Sequence, residues 1–302
     1  MNDVAGSLGH YGRTVRFETE RERQIFVDDI RRTNLMVSRF GSGHHAALFD
    51  SHQIDFAGEI KNLLVEKGFI SATAARSTEL GKVHELLPDS QKALDESELN
   101  KVSKAFYDTN DAFLNLYRRF VREAIGPLFG EDMYFQATPT LRFQFPKQPG
   151  FNWKPRIHTD VMLGHPPSEV NIWLPFTPAF GTNTMLIASL EDSVEVLDGL
   201  GYDFEALAWK VQKDDNFWQT CARRMHPVEL KYGECLLFDP RCLHATQDNR
   251  TDATRVSMDV RIILRRDFEA LPLDYRGTGR MRMRFAPGHY YHDRSIRELV
   301  VG

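Results

Sequence analysis

Three stretches of this chain alternate apolar and polar side chains with a period of two, the pattern of a strand with two unlike faces. In Thr140-Leu-Arg-Phe-Gln-Phe145, the residues Leu141, Phe143 and Phe145 oppose Thr140, Arg142 and Gln144. In Val170-Asn-Ile-Trp-Leu174, Asn171 and Trp173 face away from Val170, Ile172 and Leu174. The longest case is Arg255-Val-Ser-Met-Asp-Val-Arg261, where Arg255, Ser257, Asp259 and Arg261 oppose Val256, Met258 and Val260. An ordinary half-exposed sheet produces the same alternation. If the polar faces instead line a small barrel or two-sheet jelly roll, with the apolar faces under helices or a second sheet, the interior holds several hydrogen-bonding groups.

Helical periodicity surrounds these strands. Glu20 to Arg32 and Ile54 to Phe69 read as amphipathic helices. Ser97-Glu-Leu-Asn opens a longer one, with Leu99, Val102, Phe106, Phe113, Leu116, Tyr117 and Phe120 as its packing stripe and Gly126-Pro127 as its end. Short extended segments separated by Pro and Gly dominate from Met133 to Leu190. A helical insertion follows from Glu191 to Met225, carrying Trp209 and Trp218, before Pro227 to Gly233 returns to strand and turn chemistry. The pattern predicts one domain over 1–302, with a mainly helical part at 1–132, a mainly β core at 133–266 containing the insertion 191–225, and a tail at 267–302. The insertion is expected to be either a lid over the cavity or an outer helix pair. In the tail, the alternating arginines of Arg280-Met-Arg-Met-Arg284 suit a solvated edge strand, or a face for an acidic substrate or partner.

Candidate chemistry sits on the polar faces. Arg156-Ile-His-Thr-Asp160 is joined downstream by Asp239-Pro-Arg-Cys-Leu-His244 and by Thr254-Arg-Val-Ser257. None of the other histidines has an acid two positions on. On an extended strand, His158 and Asp160 would leave the same face, and His244 would complete a set of two imidazoles and one carboxylate. That donor set with open positions suits non-haem Fe(II) activating O2. Arg255, eleven residues past His244, is placed to anchor a co-substrate carboxylate, with Ser257 on the same face as a hydroxyl donor. Asn171 and Gln144 are candidates for orienting that co-substrate, and Arg142, Trp173 and Arg261 for facing the substrate. Cys242 either points into the same cavity or is a small buried hydrophobe.

The stretch from Arg142 to Arg261 resembles the double-stranded β-helix core of the Fe(II)/2-oxoglutarate-dependent oxygenases. Within that group, His158-Thr-Asp160, Gly164 to Pro175, Gly181-Thr-Asn-Thr184 and Asn249 to Ser257 resemble the streptomycin-biosynthesis type, with the phytanoyl-CoA and ectoine hydroxylase type a more distant likeness. The resemblance implies a jelly-roll or cupin-like fold, with His158, Asp160 and His244 holding Fe(II) and Arg255 pairing with the distal carboxylate of 2-oxoglutarate. It also implies O2 consumption, release of succinate and CO2, and oxidation of a small polar metabolite in natural-product or carbohydrate biosynthesis. Hydroxylation is the default outcome. Related halogenases carry a small residue where this chain has Asp160, so halogenation is not expected.

Composition narrows the alternatives. With 38 basic and 42 acidic residues, the chain gives no electrostatic reason to expect nucleic acid or an anionic membrane as partner. It has no apolar run of bilayer length and no signal-like start, which leads to an expected cytoplasmic location. Three cysteines make no disulfide framework. The rival readings are a cupin-type metalloenzyme that works without 2-oxoglutarate and a non-catalytic barrel that binds a small molecule. Arg255-x-Ser257 and the carboxylate ligand argue against the first, because cupin sites are usually richer in His.

Overall fold

Each alternating stretch becomes a strand in the computed structural model, which describes residues 14–95, 99–148, 155–275 and 284–299. Among these residues the strands are β1 (His44–Leu48), β2 (Met133–Phe135), β3 (Thr140–Gln144), β4 (Glu169–Pro175), β5 (Met185–Ala188), β6 (Met225–Pro227), β7 (Glu234–Phe238), β8 (His244–Thr246) and β9 (Arg255–Leu264). They form two antiparallel sheets. The larger runs β1-β7-β4-β9-β2, with β3 also on β9, and the smaller runs β6-β5-β8. Both β2 and β3 lie on one edge of β9, against Ile262–Leu264 and Arg255–Asp259, while β4 lies on its other edge.

The two faces of the large sheet are buried differently. Leu141, Phe143, Val170, Ile172, Leu174, Val256, Met258 and Val260 belong to one core with Phe56, Ile60, Phe106, Phe113, Tyr117 and Phe120 from the helices. Burying each such aliphatic or aromatic side chain contributes roughly 1.5–3 kcal/mol, so the helices are held by the sheet's apolar face. On the opposite face Trp173, Leu236 and Phe238 pack with Met185 and Ile187 of β5 and with Cys242, closing the space between the sheets. The expected double-sheet architecture is therefore present, with its polar faces turned inward.

Local capping decides where the helices begin. Helix Glu20–Arg32 starts at Thr19, whose side chain accepts from the Glu22 N–H, and it carries acids in its first turn and arginines in its last. The second predicted helix is shorter than its periodicity suggested, Phe56–Glu66, with Asp55 as its cap. The long helix is interrupted. It forms as Lys101–Ala105, Asp111–Phe120, a π-turn at Val121–Ile125, and Gly126–Phe129. Asn100 and Asn110 each accept from the N–H three residues on, so a local cap at Asn110 restarts a helix that the apolar stripe alone would have continued. Gly126-Pro127 does not end the run. Pro127 lies in a first turn, where no N–H is needed, and the stop is Gly130 at φ 71°. The predicted start at Ser97 lies outside the described residues.

The insertion forms three helices, Leu190–Gly199, Phe204–Lys213 and Asp215–Ala222. Its Leu197, Phe204, Leu207 and Val211 share a core with Phe26, Val27 and Ile30 of the first helix. Two hydrogen bonds tie it to the segments that carry the candidate ligands: the Leu243 N–H donates to Ser193 Oγ at 2.9 Å, and Trp218 Nε1 donates to the Pro155 carbonyl at 2.9 Å. Trp209 instead faces solvent. In the tail, Phe285, Tyr290 and Tyr291 are buried rather than solvated, and Arg284 pairs with Asp274 at 3.1 Å. The Arg280-Met-Arg-Met part of the predicted arginine strand lies outside the described residues.

These contacts describe a packed layer. Leu207→Ala should therefore destabilise the protein by about 2–5 kcal/mol in urea unfolding, as for a fully packed leucine. A loss under about 1 kcal/mol would mean that the insertion is a loosely attached flap.

Candidate active site

His158 and His244 meet through the backbone. The His158 N–H donates to the His244 carbonyl at 3.0 Å and the reverse bond is 2.8 Å, an antiparallel bridge that sets the ring centroids 4.2 Å apart. The Nδ1 of each ring lies 3.0 Å from the carbonyl two residues earlier, Arg156 O for His158 and Cys242 O for His244. A carbonyl only accepts, so each Nδ1 carries the proton and each Nε2 presents a lone pair.

Asp160 reaches the same point by a different route from the one its spacing suggested. It is not on an extended strand: at φ −72° and ψ −30° it opens the tight turn Val161–Leu163. The Asp160 and Val161 N–H groups both donate to the Pro240 carbonyl, at 2.9 and 3.3 Å, which fixes that turn beside the His244 segment. Convergence of His158 and Asp160 thus comes from a bridge followed by a turn, because the second segment supplies the hydrogen-bond acceptor that bends the first. Candidate ligand atoms of His158, Asp160 and His244 all lie within 4.8 Å of one another, and Asp160 Oδ1 is 3.7 Å from His244 Nε2.

Electrostatics keep this set ready for a cation. Burial alone would raise the Asp160 carboxyl, but the Arg261 guanidinium beside it, with His165, His244 and His158, holds it well below the usual carboxylate range. Burial, assisted by His244, pushes the His158 imidazole down to about 3, so it stays neutral near pH 7.

The inward face of β9 builds the rest. Cross-strand register sets Gln144 opposite Arg255, Arg142 opposite Ser257, Trp173 opposite Asp259 and Asn171 opposite Arg261. Burial lowers Arg255 only to about 10, so it remains charged; its guanidinium carbon sits 5.6 Å from the Trp173 ring centre. Its Nε and Nη1, Ser257 Oγ, Asn171 Nδ2, Gln144 Oε1 and Asp160 Oδ1 are all buried without a hydrogen-bond partner among the described residues. Each such orphan costs about 1–3 kcal/mol, so several around one space mark a place built for a ligand. Arg255 and Ser257 suit an acceptor-only anion, and the Nε2 atoms with Asp160 Oδ1 suit a metal ion.

Other predicted residues fall less simply. Gln144 Nε2 donates to the Gln247 carbonyl, so the cavity receives its acceptor oxygen. Arg142 lies 3.8 Å from Asp259, both about one-third exposed, at the wetter part of this face. Arg261 is committed elsewhere: it donates to Asp160 Oδ2 and to Asn171 Oδ1. The Cys242 thiol packs in the inter-sheet core, 3.8 Å from the Gly43 carbonyl, and it is the Cys242 carbonyl that serves the site. Sequence reasoning missed the brace beneath Asp160. His165 N–H donates to the Asp160 carbonyl at 3.3 Å, His165 Nδ1 meets Glu169 Oε2 at 2.7 Å, and the Tyr291 hydroxyl donates to the other Glu169 oxygen. Tyr291 arrives from the far end of the chain, and no local signal could have linked it to Glu169.

The chain matches one family profile and is similar to several known proteins. The profile of the phytanoyl-CoA dioxygenase family matches residues 59–257, a span that contains His158, Asp160, His244, Arg255 and Ser257. The streptomycin biosynthesis protein StrG of Streptomyces griseus is 29% identical over 168 residues, covering 55% of this chain. The aligned part spans 64% of that relative's length. Among solved structures, the non-haem α-ketoglutarate-dependent carbocyclase SnoK of nogalamycin biosynthesis is similar at 11% identity, with a TM-score of 0.46 over 87% of this chain and 98% of that one. The apo form of EctD from S. alaskensis is similar at 15% identity, with a TM-score of 0.42 over 77% of each chain. No helix among the described residues is long and apolar enough to cross a membrane.

The depressed His158 and Asp160 groups predict an acid-sensitive metal-free protein. Unfolded His158 would take up a proton near pH 6.5 that the folded ring refuses until about pH 3, so stability falls as pH drops through that window. Asp160 is lowered on folding, so its contribution is present above about pH 4 and is lost below it. Urea midpoints measured between about pH 7 and pH 4 should fall, and His158→Gln should flatten that part of the curve. An unchanged slope in the variant would show that His158 is not the group responsible.

Proposed function

The chain belongs to the phytanoyl-CoA dioxygenase family, and on that premise we propose that it is an Fe(II)- and 2-oxoglutarate-dependent dioxygenase that oxidises a small polar metabolite, by default through hydroxylation. The observation that carries this reading is the pairing of two unsatisfied ends in one buried face. At one end are the two imidazole Nε2 atoms and Asp160 Oδ1. At the other are the unpartnered donors of Arg255 and Ser257.

His158, Asp160 and His244 would hold the iron, which when bound supplies the O2-activating chemistry that converts 2-oxoglutarate to succinate and CO2. The protein's own part is placement. Arg255, charged and stacked near Trp173, with the Ser257 hydroxyl beside it, takes the distal carboxylate and sets the co-substrate's direction along β9. Asn171 offers an N–H donor from β4, next in register to the Asp160 partner Arg261. Gln144 presents an acceptor, suited to a water or substrate hydroxyl rather than to a carboxylate. The packed insertion and the small sheet exclude bulk water from the reacting groups.

Two observations support a small polar substrate. One is the partly exposed Arg142–Asp259 pair, which presents both charge signs beside the cavity. The other is similarity to a streptomycin-biosynthesis protein. A metalloenzyme working without 2-oxoglutarate would leave the orphaned Arg255 and Ser257 donors unexplained.

Incubation with Fe(II), ascorbate, 2-oxoglutarate and O2 should yield succinate, and His244→Ala should abolish it while the protein stays folded. Arg255→Ala removes a charge-assisted contact of about 1.5–3 kcal/mol, raising the 2-oxoglutarate requirement on the order of tenfold to a hundredfold. Succinate formation that survives His244→Ala would overturn the assignment of His244 as a ligand, and wild-type protein that forms no succinate would overturn the proposed function.

A further inference from the structure

Arg261 holds Asp160 in an unusual way. An arginine facing a carboxylate commonly places one N–H on each oxygen, fork against fork. Here both bonds go to the same atom: Nε at 3.0 Å and Nη2 at 2.8 Å both donate to Oδ2. Oδ1, buried and without a hydrogen bond, is the oxygen that faces His244 Nε2 at 3.7 Å. The same Arg261 Nε also donates to Asn171 Oδ1 at 3.1 Å, which turns the unpartnered Asn171 Nδ2 away from Arg261. Arg261 and Asn171 are direct cross-strand partners, so the sheet itself sets this geometry. Arg261 lies beyond the stretch matched by the family profile, which ends at 257.

We infer that Arg261 is a positioning residue that sets the denticity of Asp160, keeping Oδ2 occupied so that the carboxylate offers one oxygen to the metal. This rests on the metal-binding reading of the triad. The consequence is a matter of open positions. Three single-point ligands on a six-coordinate ion leave three places, two for a chelating 2-oxo acid and one for O2. A carboxylate that chelated through both oxygens would take one of the three. With Arg261 in place, the second oxygen is already engaged by two charge-assisted bonds in a water-poor site, where such bonds are strong. Lysine, a point donor on a flexible stem, lacks the planar group that bonds Asp160 and Asn171 together.

The test uses Co(II) as the probe, without turnover. Wild-type protein, Arg261→Met and Arg261→Lys are each checked for folding by circular dichroism, loaded with Co(II), and followed by visible absorption, X-ray absorption and crystallography while 2-oxoglutarate is titrated in. In wild type, Asp160 should bind through one oxygen, with Oδ2 still held by Arg261. In Arg261→Met both oxygens should reach the metal, the Co(II) spectrum should change before any 2-oxo acid is added, and 2-oxoglutarate affinity should fall on the order of tenfold to a hundredfold. Arg261→Lys should restore part of that affinity. A one-oxygen Asp160 with wild-type 2-oxoglutarate affinity in Arg261→Met would overturn the inference. Should Arg261→Met not fold, the wild-type Co(II) structure still decides, because a chelating Asp160 or a displaced Arg261 overturns it too. Wild-type protein that binds no Co(II) at the triad would instead count against the proposed function.

Discussion

Burying charge on one face of a single strand is the constraint around which the rest of this molecule is arranged. The inward side of β9 carries Arg255, Ser257, Asp259 and Arg261; Arg255 is buried and Arg261 is largely so. An isolated buried charge costs several kcal/mol unless it is paired. Arg261 is paired, because Asp160 supplies an opposite charge at 2.8 Å. Among the described residues, the Trp173 ring and the more distant Asp259 offset the burial of Arg255, and two of its donors stay unsatisfied. One strand therefore has a neutralised end, where Arg261 meets the Asp160 carboxylate, and a cationic end, where the charge of Arg255 is left open.

Such a strand needs unusual support. Because its inner face contributes polar groups rather than apolar area, the outer face of Val256, Met258, Val260 and Ile262 must supply the packing, and the N-terminal helices give it a layer of aromatic partners. The small sheet and the insertion close the other side through Trp173, Phe238 and Ile187, and through Leu197, Leu207 and Val211. Functional atoms are then fixed by backbone contacts more than by loops. The His158–His244 bridge, the Pro240 carbonyl under Asp160, and the carbonyls that take each imidazole Nδ1 proton place the three candidate ligands from secondary structure upward. A site made this way has its candidate ligands placed by backbone hydrogen bonds, the kind of placement that preorganised chemistry requires.

Much of this was legible along the chain, and the limits of legibility follow a physical rule. Period-two alternation identified β3, β4 and β9 and assigned each residue to the correct face, since a strand offers only two. Helix Glu20–Arg32 was legible for a similar reason, with its cap, its charge gradient and its apolar stripe all agreeing. Where local and periodic signals disagreed at Asn110, the local one won, restarting a helix inside an unbroken apolar stripe, whereas Pro127 sits within the helical run that Gly130 ends. His158 and Asp160 were rightly brought together, but through the wrong geometry, because the turn at Asp160 is bent by a carbonyl eighty residues away.

The sequence by itself determined what depends on periodicity and side-chain chemistry: two-faced strands, a helical cover, and a donor set of two imidazoles, one carboxylate and a distant guanidinium. Tertiary structure alone decided which charge meets which. Arg255 and Arg261 are the same residue type on the same face of the same strand, and spacing from His244 singled out Arg255 without revealing that Arg261 pairs with Asp160. Only the cross-strand register, which sets Arg261 beside Asn171 and within reach of Asp160 while leaving Arg255 beside Gln144, makes one a partner for the carboxylate and the other an open cation. A charge-assisted hydrogen bond forms only when donor and acceptor come within about 3 Å, so the distinction lies in three-dimensional distances that the alternation of residues does not encode.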